Sequence, residues 1–252
     1  MTATVTSAAA SAAAGAVRPV RPDGRLRRVV DVVVAAVGLL AAAPAVAALA
    51  AVIKLTSRGP ALFRQPRVGR DGREFEILKL RTMRAAADAG GAAVSGSSDP
   101  RVTRVGATLR RTRLDELPQL LNLLRGELTL VGPRPEVARF VTCYTERERE
   151  LLSVRPGIIG AGALLFASGQ AARLDDAADP ERFYIDELLH PRLELDLGYA
   201  TQRCLRRDLA LIRRAVGFCL RQARPGRQPR ADASGFWADS VRRTRKRKGQ
   251  PP

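Results

Sequence analysis

Residues 32–53 form an uncharged, almost wholly apolar run of 22 residues, and no other feature limits the fold so strongly. About 20 apolar residues in a helix suffice to cross the hydrocarbon of a bilayer, so this segment is long enough to enter a membrane. Two details argue against a simple span. Pro44 sits near the middle, where it removes a helical hydrogen bond and kinks the axis. Basic residues flank both ends, Arg25, Arg27 and Arg28 before the run and Lys54 and Arg58 after it. Lys and Arg favour the cytoplasmic side, so equal claims at both ends predict a hairpin that dips into the bilayer and returns. A single-span anchor is the first competing reading. A signal peptide cleaved in Ala43-Pro44-Ala45-Val46-Ala47 is the second; the late start and the apolar residues beyond that site weigh against it.

The 252 residues allow one good-sized domain with tails. The net charge of +18 invites a nucleic-acid partner, but its distribution argues otherwise. Residues 201–252 hold 15 Arg and Lys against 3 Asp, so two-thirds of the excess lies in the last fifth and the body is only mildly basic. The tail cluster at 242–248 reads as a solvated charge run that could also attract an anionic leaflet. Cys143, Cys204 and Cys219 have no paired spacing, which fits reduced thiols in a reducing compartment. His190 is the one histidine. It is expected at a helix end, and its solitude excludes a multi-histidine metal centre and leaves acid–base and nucleophilic work to carboxylates, lysines and arginines.

The pattern predicts a disordered leader over 1–24, the membrane helix over 25–56, a catalytic body over 57–220 and a disordered basic tail over 221–252. Within the body, 61–68 and 74–80 read as two strands around a turn at Gly69-Arg70-Asp71-Gly72. Residues 84–100 are small and polar, a flexible loop. Helices are expected over 105–112 and 115–124, a short strand over 128–131, and an amphipathic helix over 137–152. Residues 158–180 look irregular, and a long helix is expected over 191–220. The fold class is therefore α+β: an N-terminal re-entrant helix-break-helix, then a small, mostly helical domain with a short β-hairpin.

Chemistry concentrates between Arg110 and Pro135. Asp115 and Glu116 are adjacent carboxylates at a predicted helix start, with Pro118 in the first turn. Asp115 could be an N-cap and nothing more. It could equally be an ionised nucleophile toward phosphorus, kept charged by the helix dipole, with Glu116 helping to hold a divalent cation. Mg²⁺ suits that role, because it takes few carboxylates and completes its shell with water and substrate phosphates. Gly132-Pro133-Arg134-Pro135 presents a guanidinium between two prolines, fit for a bidentate phosphate contact or exposed as an ordinary turn arginine. Lys79 and Arg81 alternate on one strand face. They either pair with the two acids or bind phosphate.

Taken together, these motifs resemble the bacterial sugar transferase family, the monotopic phosphoglycosyl transferases. The matching residues run from Arg25 to Ile212 and include Gly59-Pro60, Lys79-Leu80-Arg81-Thr82-Met83, Asp99-Pro100-Arg101-Val102, Leu114-Asp115-Glu116-Leu117-Pro118-Gln119, Asn122, Val131 to Glu136, Arg155-Pro156-Gly157, and Leu195 to Tyr199 with Asp208. The resemblance implies a phosphotransferase at the bacterial inner membrane, its catalytic domain cytoplasmic. Asp115 would attack the β-phosphate of a nucleoside diphosphate sugar, in the first instance a UDP-sugar, and hold the phosphosugar covalently. A polyprenyl phosphate would then take it, initiating exopolysaccharide or glycoconjugate synthesis. Asp115 and Glu116 would hold Mg²⁺, and Lys79, Arg81, Arg110, Pro133, Arg134 and Pro135 would bind substrate. Inner-leaflet lipid is the expected surrounding, a homodimer is allowed, and no specific nucleic acid is expected.

The chain departs from the family pattern at Arg58, Thr129, Ile159 and 161–165, where proline, serine, threonine and an Ala-Gln-Val continuation are usual. These positions bear on substrate choice. With no N-terminal multi-span region in the sequence, a minimal member of the family is expected. Two other readings compete: a membrane-tethered nucleic-acid binder using 105–125 as a helix-turn-helix, and an inactive scaffold of the same fold.

Overall fold

The computed structural model describes residues 19–84, 94, 99–167 and 173–223. Most of the expected tail, most of the leader and most of the 84–100 loop lie outside them; residues 221–223 of the expected tail are helical. The fold is a mixture of helices and two small sheets. Helix α1 (Arg25–Thr56) is followed by a hairpin of β1 (Leu62–Val68) and β2 (Glu74–Leu80). The turn places Asp71 at φ 59° and Gly72 at φ 74°, left-handed residues that reverse the chain between Gly69 and Arg73. Register pairs Phe63 with Lys79 and Gln65 with Ile77.

Helix α2 (Arg104–Thr112), α3 (Gln119–Arg125) and β3 (Thr129–Val131) carry the chain through the acid pair to the Gly-Pro-Arg-Pro turn. Then come α4 (Ala138–Val141), α5 (Glu146–Arg149), β4 (Gly157–Ile159), α6 (Ala161–Ala167), α7 (Pro180–Phe183), a wide π-helical turn at Tyr184–Leu189, α8 (His190–Ala200) and α9 (Leu205–Ala223). The main core gathers Phe140, Tyr144, Tyr184, Leu188 and Leu193, and a second joins Val131 to Ala161, Tyr199 and Leu211.

Four expectations are corrected. The helix expected over 137–152 is split, because Thr145 and Glu148 form a capping box that starts α5 afresh. The irregular stretch after 157 begins as β4, which pairs in parallel with β3. The long helix over 191–220 is two helices. Between them Arg203 turns inward, donating to Asp23 at 2.6 Å and to the Val131 carbonyl at 3.0 Å. Asp115 does not begin a helix: it lies in a 3₁₀ turn, Leu114–Glu116, and α3 starts only at Gln119 without a side-chain cap.

Helix α1 runs unbroken through Pro44 and is about 48 Å long at 1.5 Å per residue. The helix-break-helix expected here is corrected to this extent: a single helix spans both sides of the proline. One stripe of it touches the domain along the whole length. At the N-terminal end Asp31, 1% exposed, accepts from Thr129 Oγ1 and the Leu130 amide, both at 2.9 Å. Midway, Gly38 lies under Leu120, where a Cβ would come within 3.1 Å of the leucine side chain. At the far end Ile53 packs with Leu80 and Leu109, and Arg81 donates to the Ser57 carbonyl and hydroxyl. Two of the flanking charges, both at the N-terminal end, are engaged by protein too. Arg28 caps the C-terminus of α3 through the Leu123 and Leu124 carbonyls at 2.7 Å, and Arg27 pairs with Asp208 at 2.6 Å.

Candidate active site

The acid pair is placed by a sharp reversal after α2. Arg113 adopts φ 61°, ψ 16°, closes α2 with its amide on the Arg110 and Leu109 carbonyls, and opens the 3₁₀ turn. A left-handed arginine costs about 1–2 kcal/mol, which the surrounding structure must overcome. Asn122 fixes the other side: its amide nitrogen donates to the Glu76 carbonyl at 2.7 Å and its oxygen accepts from the Leu78 amide at 3.1 Å. One side chain therefore satisfies the free edge of β2 and sets the acid turn beside Lys79.

The two carboxylates have opposite surroundings. Glu116 Oε1 faces Arg134 at 3.2 Å, Arg113 at 3.4 Å and Lys79 at 3.6 Å. Burial alone would raise its carboxyl, but Arg134, Lys79 and Arg113 hold it well below the ordinary range. Asp115 is 6% exposed and its Oδ1 has no hydrogen-bond partner. Burial and then the neighbouring Glu116 charge push its carboxyl up, against Lys79, Arg113 and Arg110. The expectation that a helix start keeps Asp115 ionised is thus corrected: the cations around it oppose its protonation, not a helix dipole.

Lys79 is pushed down to about 8, first by burial, with Glu116 opposing and Arg134 adding repulsion. Arg110 donates Nε to Thr82 Oγ1 at 2.8 Å, and the Asp115 and Asp99 charges act on it. Arg81 goes elsewhere in this structure, to Ser57 at the end of α1. Of the two strand cations, only Lys79 is paired with the acid turn.

Arg134 is held by backbone. Gly157 donates its amide to the Pro133 carbonyl at 2.7 Å and Gly132 donates to the Ile159 carbonyl at 3.0 Å. Arg67 reaches the Pro135 carbonyl at 3.2 Å. Pro133 and Pro135 therefore frame Arg134 with carbonyls already in use. Several members of this frame were given no role by sequence reasoning, though Glu136 and Asp196 lie in the matching motifs. Asp196 accepts the Gly162 amide at 2.9 Å and the Arg134 backbone amide, and burial pushes it up to about 6. Behind the turn, Glu136 binds Arg67 at 3.4 Å, Arg192 at 3.0 Å and the Tyr184 hydroxyl at 2.8 Å. Charged residues at core spacing on α8 were the available signal. His190 stands at the start of α8 and contacts Glu148 at 2.9 Å, away from the acid pair.

Among the described residues no group of three or more His, Cys, Asp or Glu could cage a metal. The acid pair nevertheless fits Mg²⁺ in its usual mode, with one or two carboxylates and the rest from water and phosphate. The buried Asp115 Oδ1 is a hard oxygen without a hydrogen-bond partner.

Comparison with known proteins adds identity to this geometry. A family described as "Bacterial sugar transferase" matches residues 23–222. A UDP-glucose:undecaprenyl-phosphate glucose-1-phosphate transferase of Caulobacter vibrioides is 40% identical over 207 residues, covering 78% of this chain and 73% of that protein. A protein of the same name in Escherichia coli is 34% identical over 194 residues, 74% of this chain and 38% of the relative. A UDP-N-acetylgalactosamine-undecaprenyl-phosphate N-acetylgalactosaminephosphotransferase of Aeromonas hydrophila is 41% identical over 155 residues, 60% of this chain and 36% of the relative. The chain thus spans well under half the length of the last two.

Proposed function

This chain belongs to the bacterial sugar transferase family and is a phosphotransferase enzyme, and on that premise we propose that it moves a sugar-1-phosphate from a UDP-sugar to a polyprenyl phosphate through a covalent intermediate on Asp115. The observation that carries the mechanism is the sorting of the acid pair: Glu116 Oε1 collects three cations at 3.2–3.6 Å while Asp115 Oδ1 has no hydrogen-bond partner. A carboxylate without a hydrogen-bond partner is the better nucleophile, since nothing must be broken before it attacks.

In the first step an Asp115 oxygen attacks the β-phosphorus of the donor. The bond from that phosphorus to the bridging oxygen breaks, and the nucleoside monophosphate leaves with the electron pair. In the second, a phosphate oxygen of the lipid attacks the same phosphorus, the acyl-phosphate bond breaks, and the Asp115 carboxylate is restored. Arg134, Lys79 and Arg110 balance the charge on phosphate, the main need of phosphoryl transfer. Glu116 holds two of those cations in place. Mg²⁺, held by Asp115 with Glu116 beside it, would supply further charge neutralisation on the donor phosphates.

Membrane residence is supported by α1, whose outer face leaves Val33, Val37 and Leu40 exposed while its inner stripe follows the domain. Both ends of α1 meet the same domain, which favours a helix seated in one leaflet over one that leaves the domain behind. We place that domain on the cytoplasmic face of the inner membrane. The relatives differ in the sugar they are named for, so the sugar is a matter for assay, as is the role in exopolysaccharide assembly. The nucleic-acid reading has no recognition helix: α3 is seven residues long, buries Asn122 and Leu123, and lies against α1 and β2.

The test is to incubate the full chain, in nanodiscs with polyprenyl phosphate, with a panel of UDP-sugars and to follow UMP. Release is expected with at least one sugar, together with a phosphosugar adduct on an Asp115 peptide. UMP release from Asp115→Asn at the parent rate would remove Asp115 as nucleophile. No turnover with any donor would leave the inactive scaffold as the better account.

A further inference from the structure

The third cation on Glu116 has no part in the scheme above. Lys79 and Arg134 have side chains 17 and 20% exposed, and the main chain around Arg134 is fixed by the Gly157 amide on Pro133 and by Asp196 on the Arg134 amide. Arg113 is held far less. Its side chain is 37% exposed, and its ion pair with Glu116 is a single Nη1 contact at 3.4 Å. A pair so open to water contributes little.

That weak pair does not explain why an arginine stands here. Residue 113 ends α2 at φ 61°, the left-handed position that glycine usually takes. Glycine would make the same turn without strain. Glu116 does not need a third cation either, because Arg134 and Lys79 already face the same oxygen from protected positions. A strained residue that neither the turn nor the packing requires points to a ligand.

Arg113 lies on the open side of the acid turn. Leu114, between it and Asp115, is 38% exposed, and the Arg113 charge acts on both carboxylates. With Lys79, Arg110 and Arg134, four cations act on two acids, an excess that a phosphate would match. Transfer through Asp115 has one phosphate departing and another arriving, each in line with the aspartate and on the far side of the same phosphorus. The two therefore use one position in turn, and a cation that serves both must let go between them. An exposed arginine on a weak ion pair suits that task; buried Lys79 and backbone-fixed Arg134 suit the phosphoryl group that stays.

We propose that Arg113 is a further catalytic residue, whose guanidinium leaves Glu116 first for the phosphate departing as the nucleoside monophosphate and then for the phosphate of the lipid acceptor. Between the two it returns to Glu116. This role rests on the two-step transfer proposed above.

The test compares the full chain in nanodiscs with Arg113→Gly, which keeps the left-handed turn and removes the guanidinium, and with Arg113→Lys, which keeps a charge. Calorimetric titration with UMP, with uridine as control, needs no turnover. UMP should bind Arg113→Gly about tenfold more weakly than the parent, uridine should bind both alike, and the unfolding midpoint should be unchanged or higher. Arg113→Lys should recover most of the UMP affinity. With a UDP-sugar that the parent accepts, Arg113→Gly should slow both formation of the Asp115 adduct and its discharge to polyprenyl phosphate, each about tenfold. Equal UMP affinity in parent and Arg113→Gly would overturn the proposal, as would a loss confined to one half-reaction. So would a midpoint that falls with the affinity and returns in Arg113→Lys, which would make Arg113 a structural partner of Glu116. Weakened UMP binding in Arg113→Gly, with a parent that turns over no donor, would remove the catalytic reading and leave the phosphate contact standing.

Discussion

Asp31, on the apolar helix, accepts a hydrogen bond from Thr129 Oγ1 at 2.9 Å, and so joins the membrane element to the strand that ends in the Gly-Pro-Arg-Pro turn. The same carboxylate takes the Leu130 amide and lies 3.6 Å from Arg155. Asp31→Ala strands a buried hydroxyl, an amide and part of an arginine's counter-charge. The expected loss is about 3 kcal/mol, read as a lower unfolding midpoint in detergent. Asp31→Asn keeps one acceptor and should lose about half as much.

The pH profile should be bell-shaped. Asp115 must be ionised to attack, and its carboxyl is raised by burial and by Glu116, so activity should fall on the acid side at a pH above the ordinary aspartate range. Lys79 sits at about 8, so it loses its charge, and its hold on Glu116 and phosphate, as pH rises through that value. Lys79→Arg stays charged throughout and should move the alkaline limb upward; rate profiles of the two proteins decide it. Stability carries the opposite sign. With the folded lysine depressed, the unfolded chain binds more protons between about 8 and 10.5, so this group makes the fold more stable as pH climbs through that window.

Arg134→Lys keeps a positive charge but loses the planar fork that meets Glu116 and a phosphate together. The turn should survive, because Gly157 and Arg67 hold the Pro133 and Pro135 carbonyls. The expected outcome is a fall in kcat of about a hundredfold with an unchanged unfolding midpoint. Equal kcat would mean that charge alone suffices there.

Gly157→Ala would put a Cβ 2.1 Å from the Gly132 nitrogen, so β3 and β4 must separate. A destabilisation of about 3 kcal/mol is expected, with activity lost beyond what unfolding explains, since Gly157 also holds the Pro133 carbonyl. Measuring turnover well below the midpoint temperature separates the two effects.

Much of the site was legible before the fold was known. Asp115, Glu116, Lys79 and Arg134 are drawn together as expected, because charged residues beside apolar runs have few reasons to be there other than pairing or phosphate. Arg81 shows the limit of that argument. Strand alternation places it on the face of Lys79, yet its partner is Ser57, a residue whose proximity depends on where the end of α1 lies against the domain. Arg113 was invisible because its left-handed backbone is imposed by the reversal between α2 and the acid turn, not by its own preference.

The sequence by itself determined the elements and their chemistry: an apolar helix interrupted by proline, an Asp-Gly hairpin, adjacent acids, and a turn arginine held by prolines and glycines. Those are local properties of side-chain type, period and backbone freedom. Only the tertiary structure decided which carboxylate is paired and which is left alone, because that depends on three cations brought from α2's end, β2 and the β3 turn to one oxygen. It also decided that Arg27 and Arg28 at the start of α1 bind protein, and that α9 turns its leucines outward. Burial and long-range electrostatics set those outcomes, and neither can be read from residues that are neighbours only in the chain.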